Sequence, residues 1–446
     1  MSGFTNPDVP WPVMEAQLSG RPVPVREDAP VSRKRRAYVP GPLRRASPGV
    51  RFAELHTHSS YSFLDGASGP EEMAEEAARL GLSGLAVTDH DGLYGAPRFA
   101  EAADALGLPT VFGAELSIGL TAPVSASGKA VGARTGIADP PGRHLLVLAR
   151  DPAGYAALSR AISLAHLRGG VKGHPVYDLD ELADLAAGRW LILTGCRKGA
   201  VRAALEGAGG GEMFAPGPAR RELDGLVDRF GRGNVAVELT FALEPLADER
   251  YEALAGLAQT AGLPLVATSG AHVSSPAKRR LAATMAAIRA RRSLDEMDGW
   301  LPAWSAAILR SPGEMADRFS RFPQAVTTAA DLAGECSFPL KLVAPDLPPF
   351  PVPESHDGEM DYLRHLTAAG MARRYGPACA ENEPAYRQAE HELALIERLH
   401  FPGYFLIVWE LTQFCAERRI LCQGRGSAAN SVVCYALGIT AADPIR

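Results

Sequence analysis

The chain has 446 residues, of which 46% are apolar and 22% charged, with a formal net charge of −5. That length admits two or three domains with cores of their own. The acidic balance excludes binding to nucleic acid through net charge, so any DNA contact has to come from local basic surface. No apolar run reaches bilayer-spanning length, the N-terminus lacks the basic, apolar and small-residue order of a secretory signal, and six cysteines stand without Cys-x-x-Cys spacing. These features predict a cytoplasmic, reduced protein with no membrane partner.

Residues 1–51 are Pro-rich, carry the basic cluster Arg33, Lys34, Arg35 and Arg36 and later Arg44 and Arg45, and have no apolar period. They read as a basic arm, flexible or draped over the next domain, and either a phosphate contact or a solvated tail satisfies that composition. From Phe52 to about Ser275 apolar runs of strand length alternate with helical stretches. Ser68 to Glu71 has capping-box spacing ahead of a helix that places Met73, Ala77 and Leu80 on one face before Gly81. Strands follow at GLAVT, 109–114, 145–149, 190–194, NVAVEL and PLVAT, with helices near 97–106, 152–167 and 247–261. This cadence predicts a right-handed (β/α) barrel, interrupted by loops at about 119–142 and 207–218.

Ligand-capable residues recur at the ends of these runs. In FAELHTHSSYSFLD, His56 and His58 stand one residue apart, so an extended backbone puts both imidazoles on one face. Asp65 follows, His90 closes GLAVTD, Glu115 closes PTVFGA, Cys196 follows WLILTG, and His272 follows PLVATSGA. His144 breaks the rule by preceding its run. One such histidine would more often be a satisfied structural residue, but five of the eleven histidines at these places, with two carboxylates and a thiol, predict a metal site on one rim of the barrel. Glu238 also ends a strand, and reads as a solvated rim carboxylate in preference to a further ligand.

HTHSSYSFLDG, TDH, GAE and the contexts of His144, Cys196 and His272 together resemble the polymerase-and-histidinol-phosphatase (PHP) domain at the N-terminus of bacterial C-family DNA polymerase α subunits. The resemblance implies an α/β fold, a TIM-like (β/α) barrel of the PHP type over 52–275. It also implies a metal-ligand set of His56, His58, Asp65, His90, Glu115, His144, Cys196 and His272, holding zinc or manganese. A ninth family ligand, the aspartate of Asn-Asp-Val-His, is Gly270 in Ser269-Gly270-Ala271-His272. One metal of the family's cluster is thereby left under-coordinated, which weighs against hydrolysis.

Past Lys278 the pattern turns helical, with a Pro-rich connector at 342–355 and helices expected at 362–374 and 384–399, the latter with Leu393, Ile396 and Leu399 as its apolar stripe. Near the end, Ile420 to Cys422 reads as a short strand, Gln423 to Ser427 as a Gly-containing turn, and Ala428 to Leu437 as a helix stopped by Gly438. Cys434 is expected to be a small buried hydrophobe beside Val433 and Leu437. Strand, turn and helix N-terminus together make an anion site. GYFLIVWE followed by GRGSAANSVV is similar to the start of the C-family palm, which implies that 276–446 is a helical α+β palm segment. By the same resemblance Arg425, Gly426 and Ser427 contact a nucleotide triphosphate. The basic arm and the Ser-Gly-Ala-His segment are more similar to the error-prone, damage-inducible branch than to the replicative one.

The family's catalytic aspartates, which hold magnesium for polymerisation, lie beyond Asp443-Pro444-Ile445. No catalytic residue is therefore assigned here, and the 446 residues alone are expected not to extend primers. The parent protein is then an error-prone nucleotidyltransferase of DNA repair and translesion synthesis, acting on DNA primer-template and dNTPs. A sliding clamp and accessory translesion proteins are its expected partners. Two other readings of the barrel stay open: a metal-dependent phosphoesterase or 3′ exonuclease, and a metal-stabilised scaffold without chemistry.

Overall fold

The computed structural model describes residues 38–47, 49–120, 142–207, 214–297, 307–340 and 349–445. The basic cluster at 33–36, most of the 119–142 loop and much of the Pro-rich connector lie outside these residues. The chain divides into two compact units, Met1–Val343 and Ala344–Arg446.

The first unit is organised by a six-stranded sheet in sequence order, β1 (Leu85–Val87), β2 (Thr110–Ile118), β3 (Arg143–Ala149), β4 (Trp190–Leu193), β5 (Val235–Thr240) and β6 (Leu265–Thr268). Its helices are α1 (Pro70–Leu80), α2 (Ala96–Leu106), α3 (Pro152–Gly169), α4 (Leu179–Ala186), α5 (Ala200–Glu206), α6 (Pro216–Phe230) and α7 (Ala247–Ala261). The strands read as nearly continuous apolar runs because both of their faces are covered, and Phe112, Leu146, Leu148 and Trp190 are fully buried. The segment around His56 forms no full strand. It is hydrogen-bonded on both sides instead, Ala86 N–H donating to the Glu54 carbonyl and His58 N–H to that of Ala271, with bridges Glu54 to Leu85 and Thr57 to Ala271. That pairing joins the β1 edge to the segment after β6 and curls the sheet into the α/β, PHP-type arrangement.

One departure from a uniformly parallel (β/α) barrel explains an anomaly in the sequence. β3 runs antiparallel to both β2 and β4, while β1 with β2, β4 with β5, and β5 with β6 are parallel. An antiparallel neighbour needs no crossover helix, and its N-terminal end lies where the parallel strands have their C-terminal ends. His144, at the start of β3, therefore reaches the same rim as residues that follow their strands.

Local signals differ in detail from the sequence reading. Helix α1 is capped at Gly69, whose N–H donates to Glu72, so the box sits one residue later than Ser68 and Glu71; Ser68 Oγ donates to Ser274 Oγ instead. Gly81, at φ 75°, ends the helix as expected. Helix α6 begins inside the stretch expected to be loop. Residues 38–47 lie against the unit: Tyr38 donates to Glu75 and Glu101, and Ala46 N–H to the Arg79 carbonyl.

The core extends past the domain change expected at 275/276. Helices α8 (Arg279–Ala290), α9 (Pro312–Arg318) and α10 (Pro323–Cys336) lie in the first unit. Met315, Phe319, Val326 and Cys336 pack into the same apolar cluster as the strands.

The second unit holds α11 (Glu359–Tyr375), α12 (Glu383–Arg398), α13 (Pro402–Glu417) and α14 (Val432–Ala436). Leu363, Leu393, Ile396, Leu406, Val433 and Cys434 form its core, so Cys434 is the small buried hydrophobe expected, whereas Leu399 of the α12 stripe is exposed. No helix among the described residues is long and apolar enough to cross a membrane.

Candidate metal centre

All eight side chains singled out on the barrel converge. His56, His58, Asp65, Glu115 and His144 are buried, while His90, Cys196 and His272 are partly buried. Glu115, carried inward by β2, is the hub. Its carboxylate lies 2.9 Å from His144 Nδ1, 3.4 Å from His58 Nε2, 3.5 Å from His56 Nε2 and 3.6 Å from His90 Nδ1, and the Cys196 thiol donates to it at 3.8 Å. Asp65 Oδ2 meets His90 Nε2 at 3.2 Å and His272 Nδ1 at 3.1 Å. The His58 ring stacks between those of His90 and His272, at 4.5 and 4.4 Å between centroids.

This donor set fits a borderline-soft divalent cation. Three groups of donor atoms each lie within 4.8 Å of one another: His56, His58 and Glu115; His58, Asp65 and His90; His90, Glu115 and His144. His144 Nε2 is buried with no hydrogen-bond partner among the described residues, a costly state for a ring nitrogen that an ion would relieve.

The electrostatics are those of a crowded buried site. Burial raises the Glu115 carboxyl, but His144 and His56 outweigh it and hold it well below the carboxylate range. Asp65 is also held low against burial, by His272 and His90. Neighbouring histidines are driven apart. Burial and the charges of His272 and His90 push His58 well down, whereas His56 is raised well above its usual value because Glu238 and Glu115 overcome burial. His90 rises to about 9, Asp65 and Glu115 outweighing burial, and burial pushes the Cys196 thiol up to about 12.

Glu238 is not a solvated rim carboxylate. It is buried within β5, takes His56 Nδ1 at 2.7 Å and accepts from the Thr268 hydroxyl. A carboxylate on Nδ1 fixes the ring so that Nε2 faces the cluster. Its position after VAV follows the same pattern as Glu115, which was the available signal. Glu54, buried one turn of the pleat before His56, accepts from the backbone N–H of His56 and of Ser269, and burial raises it to about 7. Asp89 accepts from Ser59 N–H and from the hydroxyls of Ser59 and Ser62, which ties the His58 loop to the end of β1. Arg289 had no sequence signal. It reaches in from α8, beyond the expected barrel, and donates to Asp65 Oδ1 at 2.6 Å and to the Leu64 carbonyl at 2.8 Å.

At Gly270 the backbone φ is +56°, and a Cβ would come within 2.7 Å of Thr240 Cγ2. The missing ninth ligand is thus matched by a backbone turn that disfavours any L side chain.

The Gly-Arg-Gly-Ser segment departs from its expected form. Residues 420–422 form no strand, Gly426–Asn430 is a 3₁₀ turn, and the α-helix starts only at Val432. The donors at that start are taken. Ser431 Oγ and the N–H groups of Val432 and Val433 all donate to Glu392. Arg425, Gly426 and Ser427 are exposed ahead of it.

Comparison with known proteins agrees with this division. The PHP domain profile matches residues 54–242, and that of the bacterial DNA polymerase III alpha NTPase domain matches residues 361–446. One match falls within each of the two units. It is 56% identical over 450 residues to the error-prone DNA polymerase of Mycobacterium bovis, an alignment covering 99% of this chain and 40% of that protein. It is 52% identical over 472 residues to the one of Nocardia farcinica, covering 98% and 41%. The chain therefore spans about 40% of the length of these curated relatives. Among solved structures, an amidohydrolase from Chromobacterium violaceum matches 50% of this chain and 87% of its own at 18% identity and a TM-score of 0.33.

Proposed function

We propose that this chain serves within an error-prone DNA-directed DNA polymerase of lesion-tolerant synthesis and repair, with its PHP domain holding zinc or manganese. The 56% identity to proteins of that name, sustained over 450 residues, carries the reading. DNA primer-template and dNTPs are then the substrates of the whole protein, magnesium its polymerisation metal, a sliding clamp and accessory translesion proteins its partners, and the cytoplasm its location. Exposure of Arg425, Gly426 and Ser427 supports their role as triphosphate contacts, by backbone N–H, guanidinium and hydroxyl, with no part for the α14 N-terminus that Glu392 fills.

In the PHP domain His56, His58, Asp65, His90, Glu115, His144, Cys196 and His272 are the proposed ligands, and an ion held there supplies a Lewis acid and an acidified water. Glu238 orients His56, and Glu115 draws the imidazoles of His56, His58, His90 and His144 to one point. A phosphoesterase or 3′ exonuclease reading of this domain is favoured by one observation, a cavity of about 320 Å³ that opens beside His90.

Primer extension with magnesium tests the first reading. A full-length polymerase that contains this chain is expected to incorporate dNTPs and to copy a template past a lesion, as its 56% identity to error-prone DNA polymerases suggests. Failure of that polymerase to incorporate dNTPs would contradict the reading. Release of mononucleotides with zinc or manganese, lost in His56→Ala and kept in Ser427→Ala, would support the second.

A further inference from the structure

The cavity beside His90 has a wall that the metal cluster does not explain. Phe63 and Tyr94 stand there 63% and 54% exposed, their ring centroids 5.7 Å apart. Phe63 (φ 39°) and the following Leu64 (φ 63°) are consecutive non-glycine residues in left-handed backbone, directly before Asp65. A chain that leaves most of a large apolar ring exposed on an unfavourable backbone gains little in folding from that ring, and strain of this kind gathers at ligand-contacting segments. The same wall carries Lys172, the His166 imidazole, and the Arg289 guanidinium that also donates to Asp65. Its one carboxylate, Asp91, already accepts from the Ser117 N–H and hydroxyl at 2.9 and 2.7 Å.

An aromatic shelf, a cationic flank and a metal-ligand edge in one cavity describe a ligand with a planar ring at one end and a phosphate at the other. We propose that Phe63 and Tyr94 receive the base of a single nucleotide whose phosphate faces His90 and Arg289, and so set specificity for nucleoside phosphates over simple phosphate esters. The volume of about 320 Å³ stands at the small end of the range for ligand pockets, suited to one nucleotide unit. Stacking on aromatic rings accepts every base, so the shelf selects for the presence of a base and not for its identity. The inference rests on the phosphoesterase reading only for the direction in which the phosphate points.

Calorimetric titration of the 446-residue chain, supplied with zinc or manganese, with deoxyadenosine monophosphate and with the abasic deoxyribose 5-phosphate tests the shelf without requiring hydrolysis. The nucleotide is expected to bind about tenfold or more tighter than the abasic sugar phosphate. Phe63→Ala and Tyr94→Ala should each remove most of that preference while leaving abasic phosphate binding unchanged, and Phe63→Trp should keep it. Equal affinity for the two probes, no measurable nucleotide binding, or a preference that survives both alanine variants would overturn the inference. Metal content measured on the same samples separates the two ideas. Base preference without bound metal would leave the shelf standing and remove the cluster, and bound metal without base preference would do the reverse.

Discussion

The chain carries two constellations suited to phosphate chemistry, and they are built in opposite ways. The PHP-domain cluster is buried, drawn from seven separate places in the sequence, and held by residues whose own hydrogen bonds are fixed by a further layer, as Glu238 fixes His56. The Gly-Arg-Gly-Ser segment is continuous in sequence and exposed, and the helix start behind it is filled by Glu392. A buried cluster of imidazoles and carboxylates is costly without a cation, because desolvated charges and unpaired ring nitrogens have no water to turn to. An exposed loop pays no such penalty and can wait for its ligand. The first is therefore expected to behave as part of the fold and the second as a surface.

Metal removal should break that comparison most visibly. Chelation is expected to destabilise the PHP domain by about 3–4 kcal/mol for ions present at 100 to 1,000 times their dissociation constant. Hydrogen exchange on the whole chain should register this as lost protection across β2 to β6 and none across α11 to α13; equal loss in both would mean that chelation acts otherwise. Glu238→Gln comes next. It leaves the ring of His56 a weaker acceptor on Nδ1, and metal affinity should drop ~10–100-fold, read by competition with a chromogenic chelator; unchanged affinity would remove Glu238 from the site. The smallest effect belongs to Glu392→Gln, which weakens three charge-assisted hydrogen bonds at the start of α14. About 1 kcal/mol is expected, confined to the second unit and measurable by urea denaturation, with the PHP domain unchanged.

The sequence made the cluster legible because strand-end ligands repeat with one grammar and the hidden face of a barrel forces them together. His144 looked out of place only because periodicity cannot report strand direction, and antiparallel β3 resolves it. Glu238 obeyed the same grammar, yet burial depends on what closes over a rim, and this the alternation of VAVE does not encode. Arg289 and Gly270 were harder for different reasons. Arg289 acts from a helix past the expected boundary, and the left-handed turn at Gly270 follows from the bend after β6, so a missing ligand could be read but its structural cause could not. In the second unit, the run at 420–422 had the apolar look of a strand but finds no partner strand there, and Glu392, some forty residues away in sequence, took the helix start that pattern alone offered to phosphate.

Elemental analysis of the purified chain, with Glu115→Gln beside it, tests the central claim most directly. Stoichiometric zinc or manganese in the unaltered chain is expected, and a clear loss in the variant, because Glu115 touches four of the five cluster imidazoles. A folded chain that holds no metal after dialysis against zinc and manganese, or a Glu115→Gln variant that holds as much as the original, would contradict the account.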